Sequence, residues 1–228
     1  MNKTQAEGMP MPYDLCLFDL DGTLTDPKEG ITKSVGYALS SFGIHTPDLD
    51  ELTKFIGPPL HESFCKYYHF SDAEAEEAIR KYREYFSETG IYENAKYPGI
   101  GVLLGLLKVN NIALAIASSK PTVYVDRIAE HFGFRHYFDF VAGSELDGTR
   151  SRKSEVIHYA LDAVDFDRKK TAVMIGDREH DIVGATETGI DSIGITWGYG
   201  SHDELQAAGA TWIADSIDEL YQIITAIE

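Results

Sequence analysis

The chain has 228 residues, 43% hydrophobic and 25% charged, a globular composition with length for one large domain or a core with an insert. Its formal net charge of −17 sets the surface against nucleic acid polymers, whose binding runs through Lys and Arg contacts to phosphate; a small anionic substrate must be held by local positive groups or a metal ion, because salt screens the general repulsion only beyond about 8 Å. Two cysteines are too few for a disulfide framework and fit a reducing, cytoplasmic setting, and no stretch has the form of a signal peptide or the ~18 apolar residues of a membrane span.

Residues 1–12 read as an N-terminal extension. Residues 13–18 (YDLCLF) are a short apolar run ending in acidic and glycine residues, which predicts a buried strand meeting a loop at its carboxyl end. Beyond Pro27 the period changes. Ile31, Val35, Ala38, Leu39 and Phe42 recur at threes and fours and predict a helix. Thr46 followed by Pro47 predicts an N-cap and a first-turn proline opening a helix through Ile56, which Gly57-Pro58-Pro59 interrupts. Further helices are predicted from Leu60 to about Tyr68 and, behind a Ser71/Glu74 capping box, from Ser71 to near Gly90. Residues 28–96 thus read as all-helical, with no strand.

From Pro98 the rhythm alternates. A helix over 102–110 precedes a strand over 112–117, a helix over about 122–132, a weaker strand over 138–142, and a helix over about 154–164. A strand over 171–175, a helix over about 181–188, a strand over 191–195, a helix near 203–208, a short strand over 212–214 and a final helix from Ile217 complete the chain. Alternation of this kind predicts an α/β fold, a Rossmann-like parallel sheet covered on both faces, with ligand sites at the carboxyl ends of the strands. The expected organisation is an α/β core of residues 13–27 and 97–228, with a helical block of residues 28–96 inserted after the first strand.

Three predicted strand ends carry polar residues. The first reads Asp19-Leu20-Asp21-Gly22-Thr23. A spacing of two puts Asp19 and Asp21 on one side of an extended chain, and Gly22 permits a sharp exit that exposes them. The plainer reading is a turn, since Asp-Gly is a common turn dipeptide. A calcium loop needs glycine at its sixth position, and here it is the fourth. The second end, Ser118-Ser119-Lys120-Pro121, offers a hydroxyl to a phosphate oxygen or else a serine that caps the next helix. The third places Asp177 after the strand and Asp181 one helical turn on, where an acidic residue also complements a helix dipole. Brought together, Asp19, Asp21, Asp177 and Asp181 would repel one another unless a divalent cation joined them. Carboxylate oxygens with waters and a phosphate suit Mg2+. Lys153, in isolation a solvated loop lysine before a helix, would then offset the charge of a nucleophile and a phosphoryl group.

These residues resemble the haloacid dehalogenase superfamily of phosphohydrolases over nearly the whole chain. The segment from Phe18 to Leu24 looks like its first motif, DxDGT; Ser118 occupies the second-motif hydroxyl position, Lys153 the third-motif lysine, and Gly176-Asp177-x-x-x-Asp181 the acidic fourth motif. The helices of 28–96 resemble its cap. Trp197-Gly198-Tyr199-Gly200 and Ala208-Gly209-Ala210 look like features of the phosphoglycolate phosphatase-like branch, and residues 55–60 (FIGPPL) look closest to a 5′-nucleotidase-like group in it. Ser119 departs from the pattern, standing where asparagine is common.

The resemblance implies a Mg2+-dependent phosphomonoesterase of a small phosphorylated metabolite. Asp19 is the expected nucleophile and Asp21 the proton shuttle. The metal would be held by Asp19, Asp21 through its backbone carbonyl, Asp177 and Asp181. Phosphate contacts are expected from Lys153, Ser118, Ser119, Gly22 and Thr23, and a specificity contact from Pro58 in the loop between the inserted helices. A dehalogenase would not need Asp21. A phosphomutase would return the phosphoryl group to a sugar, a signalling receiver would lack the insert, and a phosphate-binding sensor would show no turnover. Monomer and homodimer both remain open.

Overall fold

A computed structural model describes residues 13–164 and 171–226. The expected N-terminal extension, residues 1–12, lies outside the described residues. Strand β1 (Leu15–Phe18) is central. It pairs in parallel with β4 (Ala113–Pro121) on one side and β6 (Ala172–Gly176) on the other. Strand β5 (Phe140–Ser144) lies beyond β4, while β7 (Asp191–Ile195) and β8 (Trp212–Ala214) lie beyond β6. The order is β5-β4-β1-β6-β7-β8, all parallel.

The side-chain period of two divides each strand between two cores. Cys16 and Phe18 join Leu114, Ile116, Val173 and Ile175 on one face, whereas Leu15 and Leu17 join Ala115, Ala117 and Met174 on the other. Helices α4 (Ile100–Val109), α5 (Thr122–His131) and α9 (Ile217–Thr225) cover the first face; α6 (Lys153–Ala163) and α7 (Glu179–Thr188) cover the second. A strand buried on both faces has no polar side to show, which is why β1 and β6 read as unbroken apolar runs. The chain therefore has the Rossmann-like α/β fold expected of it. Helix α8 (His202–Ala207) packs beside β8.

Between β1 and β4 stand helices α1 (Lys28–Ser41), α2 (Leu60–Tyr68) and α3 (Asp72–Tyr85). Their apolar stripes, with Val35, Leu39, Phe64 and Ala78, are continuous with the first core. The capping box before α3 is formed: the Glu74 carboxylate accepts from Ser71 N at 2.8 Å and Ser71 Oγ accepts from Glu74 N at 3.4 Å.

Four local expectations need correction. The helix expected to open at Thr46 is instead a short 3-10 helix over Leu49–Phe55. Asp48 accepts from Asp50 N at 2.9 Å, and this i to i+2 bond starts a tighter turn after the proline. The helix expected to run to near Gly90 leaves α geometry at Tyr85 and widens into a π turn over Phe86–Gly90, closed by Ile91 N donating to Phe86 O at 2.8 Å. The 28–96 region is not free of strand: β3 (Ala95–Lys96) pairs antiparallel with β2 (Thr25–Asp26), too short a ladder to leave a periodic signal. Strand β4 does not stop at Ala117. It continues through Ser118–Pro121 with an irregular pairing to β5 after Ala117; β5 itself starts at Phe140, two residues later than expected.

Candidate active site

The carboxyl ends of β1, β4 and β6 face the inserted helices. Asp19 directly follows β1, and its N–H still donates to Ile175 O of β6 at 2.9 Å, which fixes its backbone. The next residues turn tightly, with Leu24 N and Thr25 N both donating to Leu20 O. Asp177 follows β6, Asp181 lies in the first turn of α7, and Lys153 opens α6. All five ionisable side chains of this cluster, Asp19, Asp21, Lys153, Asp177 and Asp181, are buried. One carboxylate oxygen from each of Asp19, Asp177 and Asp181 lies within 4.8 Å of the others. Lys153 Nζ stands 2.9 Å from Asp19 Oδ1 and 2.8 Å from Asp181 Oδ1, and it donates to Ala117 O at 3.0 Å.

Charge this dense moves the protonation equilibria. Burial, followed by the charges of Asp181 and Asp19, pushes Asp177 well above the usual carboxylate range, and the hydrogen bond from Tyr199 N recovers only part. Asp181 is also raised by burial, against the pull of Lys153. Burial works against the Lys153 ammonium, but Asp181 and Asp19 outweigh it and hold it above the ordinary lysine value. Asp21 is raised by burial, with Lys120 opposing. One ammonium does not balance three carboxylates that have left water. Among the described residues, Asp19 Oδ1 and Asp181 Oδ1 have only the Lys153 ammonium at ion-pair distance, without an aligned hydrogen bond, and Asp21 Oδ1 is buried without a hydrogen-bond partner. This all-oxygen donor set with spare lone pairs fits a hard divalent cation.

Asp177 is walled in by backbone. Tyr199 N donates to its Oδ2 at 2.7 Å, and Thr23 Oγ1 donates to its Oδ1 at 3.4 Å. Gly22 has φ +86°, and a Cβ there would lie 2.3 Å from Asp177 Oδ2; a Cβ on Gly198 would lie 2.3 Å from Asp177 Cβ. Glycine is needed at both because the two loops close on this carboxylate. Trp197 Nε1 donates to Thr23 O at 3.2 Å and ties them together. Gly22 and Thr23, expected at the phosphate, thus also pack against Asp177.

A cavity of about 520 Å³ separates the strand ends from the helices. Asp21, Ser119, Lys120 and Ser144 line its sheet side; Phe55, Pro58, Tyr82, Arg83 and Phe86 line its helical side. Ser118 is buried behind it, its Oγ accepting from Lys120 N at 3.4 Å, and the Ser119 carbonyl accepts from Ser144 Oγ at 2.8 Å.

Two residues of this region escaped the sequence reading. Lys120 Nζ lies 2.6 Å from Asp21 Oδ2, with both side chains nearly fully buried, and 4.5 Å from the centre of the Phe86 ring. Its place two residues after Ser118 on an extended chain was the available signal. Arg178 donates from Nη1 to Ile56 O at 2.9 Å and from Nε to Glu204 at 2.8 Å, joining the inserted segment to the loop after β6. Nothing in its local sequence marks that role.

Comparison with known proteins gives this arrangement a setting. Residues 16–195 match the family model described as haloacid dehalogenase-like hydrolase. A 5′-nucleotidase of Pseudomonas aeruginosa is 47% identical over 212 residues, covering 93% of this chain and 96% of that one. The tyrosine-protein kinase PtkA of Mycobacterium tuberculosis is 39% identical over 212 residues, covering 92% of this chain and 72% of that one. The crystal structure of "a predicted phosphatase from Clostridium acetobutylicum" superposes with a TM-score of 0.91 at 50% identity, covering 93% of this chain and 98% of that one.

Proposed function

This chain belongs to the haloacid dehalogenase-like hydrolases and is a phosphatase of that family, and on that footing we propose that it hydrolyses small phosphomonoesters through a phosphoaspartate on Asp19, with Mg2+ as its cofactor. The observation that carries this reading is the buried grouping of Asp19, Asp177 and Asp181 around Lys153 at the strand ends.

An Asp19 carboxylate oxygen attacks phosphorus, the ester P–O bond breaks, and the leaving oxygen takes a proton from Asp21. Asp21 then removes a proton from a water molecule whose oxygen attacks the same phosphorus. The bond to Asp19 breaks, inorganic phosphate departs, and both carboxyl groups return to their starting states. Burial raises the Asp21 pKa, against the pull of Lys120, in the direction that favours a group which first gives and then takes a proton. Asp19, Asp177 and Asp181, with the Asp21 backbone carbonyl, would hold Mg2+, which supplies charge neutralisation to the phosphoryl oxygens. Lys153 holds Asp19 in place and adds positive charge beside it; Ser118, Ser119 and the backbone N–H groups near Gly22 and Thr23 contribute phosphate contacts. Helices α1 to α3, taken with residues 28–96 as a cap on a core of 13–27 and 97–228, exclude water and read the leaving group through Pro58 and its neighbours. Two free cysteines suit a reducing, cytoplasmic setting, and among the described residues no helix is long and apolar enough to cross a membrane.

The cavity favours a nucleoside monophosphate over phosphoglycolate as the ester. A volume of about 520 Å³ bordered by the rings of Phe55, Tyr82, Phe86 and Tyr124 has room and stacking surface for a base and sugar. That is the second, finer reading, and the 5′-nucleotidase likeness accords with it. The test of the first is turnover of p-nitrophenyl phosphate with Mg2+: Asp19→Asn should fold, bind Mg2+ and fail to turn over, and near-normal activity refutes the assignment. The second is tested by ranking phosphorylated metabolites by kcat/KM; phosphoglycolate leading the nucleotides would refute it.

A further inference from the structure

We propose that the inserted helices carry a separate metal site, made by His61, Cys65 and Asp72, for a borderline-soft divalent cation of the zinc class. His61 and Cys65 are four residues apart on α2, so they share one face, with Nδ1 and Sγ 3.9 Å apart. Asp72 is the first residue of α3, and its Oδ1 lies 3.5 Å from His61 Nε2. One donor atom from each of the three lies within 4.8 Å of the others. Metal–ligand distances of about 2.0–2.3 Å put tetrahedral ligands about 3.4–3.6 Å apart. One imidazole nitrogen serves one ion, so the His61 ring, which faces Cys65 through Nδ1 and Asp72 through Nε2, must turn to present a single nitrogen to both, a rotamer change open to the partly exposed His61 and exposed Asp72 side chains.

The donor types separate this site from the strand-end pocket. Imidazole nitrogen and thiolate sulfur prefer zinc or cobalt, whereas the all-carboxylate pocket prefers a hard ion. The chain has two cysteines, and Cys16 is sealed inside β1, which leaves Cys65 as the accessible thiol. The Asp72 side chain is 90% exposed, so the fourth coordination position opens to water. His61 also lines the cavity. An ion there would bridge α2, which starts after Pro58-Pro59, to α3, which carries Tyr82 and Arg83, and would stiffen the cavity wall.

The test is titration of cobalt(II) into the full chain with saturating Mg2+ and a thiol-free reductant. One equivalent should bind with a thiolate-to-cobalt charge-transfer band and tetrahedral visible bands, and zinc should bleach both. Cys65→Ser should lose the charge-transfer band while turning over p-nitrophenyl phosphate like the parent without cobalt. Asp72→Asn, altered at an exposed side chain, should weaken cobalt binding at least about tenfold, since even outer-shell changes cost ~10–100-fold. Asp177→Asn should keep the full spectrum. No charge-transfer band in the parent, a band that survives Cys65→Ser, unchanged affinity in Asp72→Asn, or bands lost in Asp177→Asn would each overturn the proposal.

Discussion

The two walls of the cavity are built on different physical terms. The sheet wall consists of charged side chains that have left water, held by β-strand ends and by glycines whose missing Cβ atoms make room for Asp177. The helical wall is mostly rings, prolines and aliphatic side chains, with Arg83, Glu62 and Glu76 as charged members, carried on helices with a 3-10 helix before α2 and a π turn after α3. A buried charge cluster tolerates almost no change, because removing one partner strands the others. A mostly apolar wall can exchange side chains of similar volume at modest expense. Phosphoryl chemistry and ester choice should therefore separate by wall.

The largest break should come from the sheet wall. Asp19→Asn should lower kcat by about 10³-fold or more for every ester, measured in steady state. Asp177→Asn should raise the Mg2+ concentration needed for half-activity by at least ~10–100-fold, and excess EDTA should abolish turnover. Stabilisation by Mg2+ should depend on pH. Asp177 and Asp181 are held above the usual carboxylate range, so protons compete with the metal as pH falls. The Tm gain on adding Mg2+ should be larger at pH 8 than at pH 5.5, by differential scanning calorimetry.

Smaller effects should come from the helical wall. Arg83→Ala should change kcat/KM by about tenfold for some esters and leave p-nitrophenyl phosphate within about twofold. A uniform loss across esters would break the division between the walls. The smallest effect should come from a carboxylate just before β5, outside the pocket. Burial raises Asp139, but the Leu114 N–H and the Lys108 ammonium outweigh it and hold its pKa below the usual value. A depressed native pKa contributes stability above the ordinary carboxylate value and loses it as pH falls through the native one. Asp139→Asn should thus lower stability by about 1 kcal/mol or less near pH 7, given its exposure, with the difference vanishing in acid denaturation series.

What could be read in advance follows the same division. The sheet declared itself because β1 and β6 are short apolar runs whose ends carry DxDGT and GDxxxD patterns, and strand ends are where such sheets gather polar groups. Local pairing was harder. The continuation of β4 through Lys120 depends on irregular pairing with β5; the spacing of two from Ser118 hints at a shared face, but the contact of Nζ with Asp21 comes from tertiary structure. The helical block showed its periodicity and its Ser71 cap, but not the 3-10 turn set by Asp48, the π turn at Phe86, or the two-residue ladder at Ala95–Lys96. Arg178 reaches Ile56, 122 positions away in sequence, and only tertiary structure supplies that contact.

Covalent catalysis by Asp19 is tested most directly by trapping the phosphorylated protein. A single-turnover mixture with excess enzyme is acid-quenched, reduced with borohydride and mapped by mass spectrometry, because reduction converts an acyl phosphate to an alcohol. Homoserine should appear at position 19 and be absent without substrate. Homoserine at another aspartate, or a trapped phosphoserine at Ser118 with position 19 unmodified, would contradict covalent catalysis by Asp19.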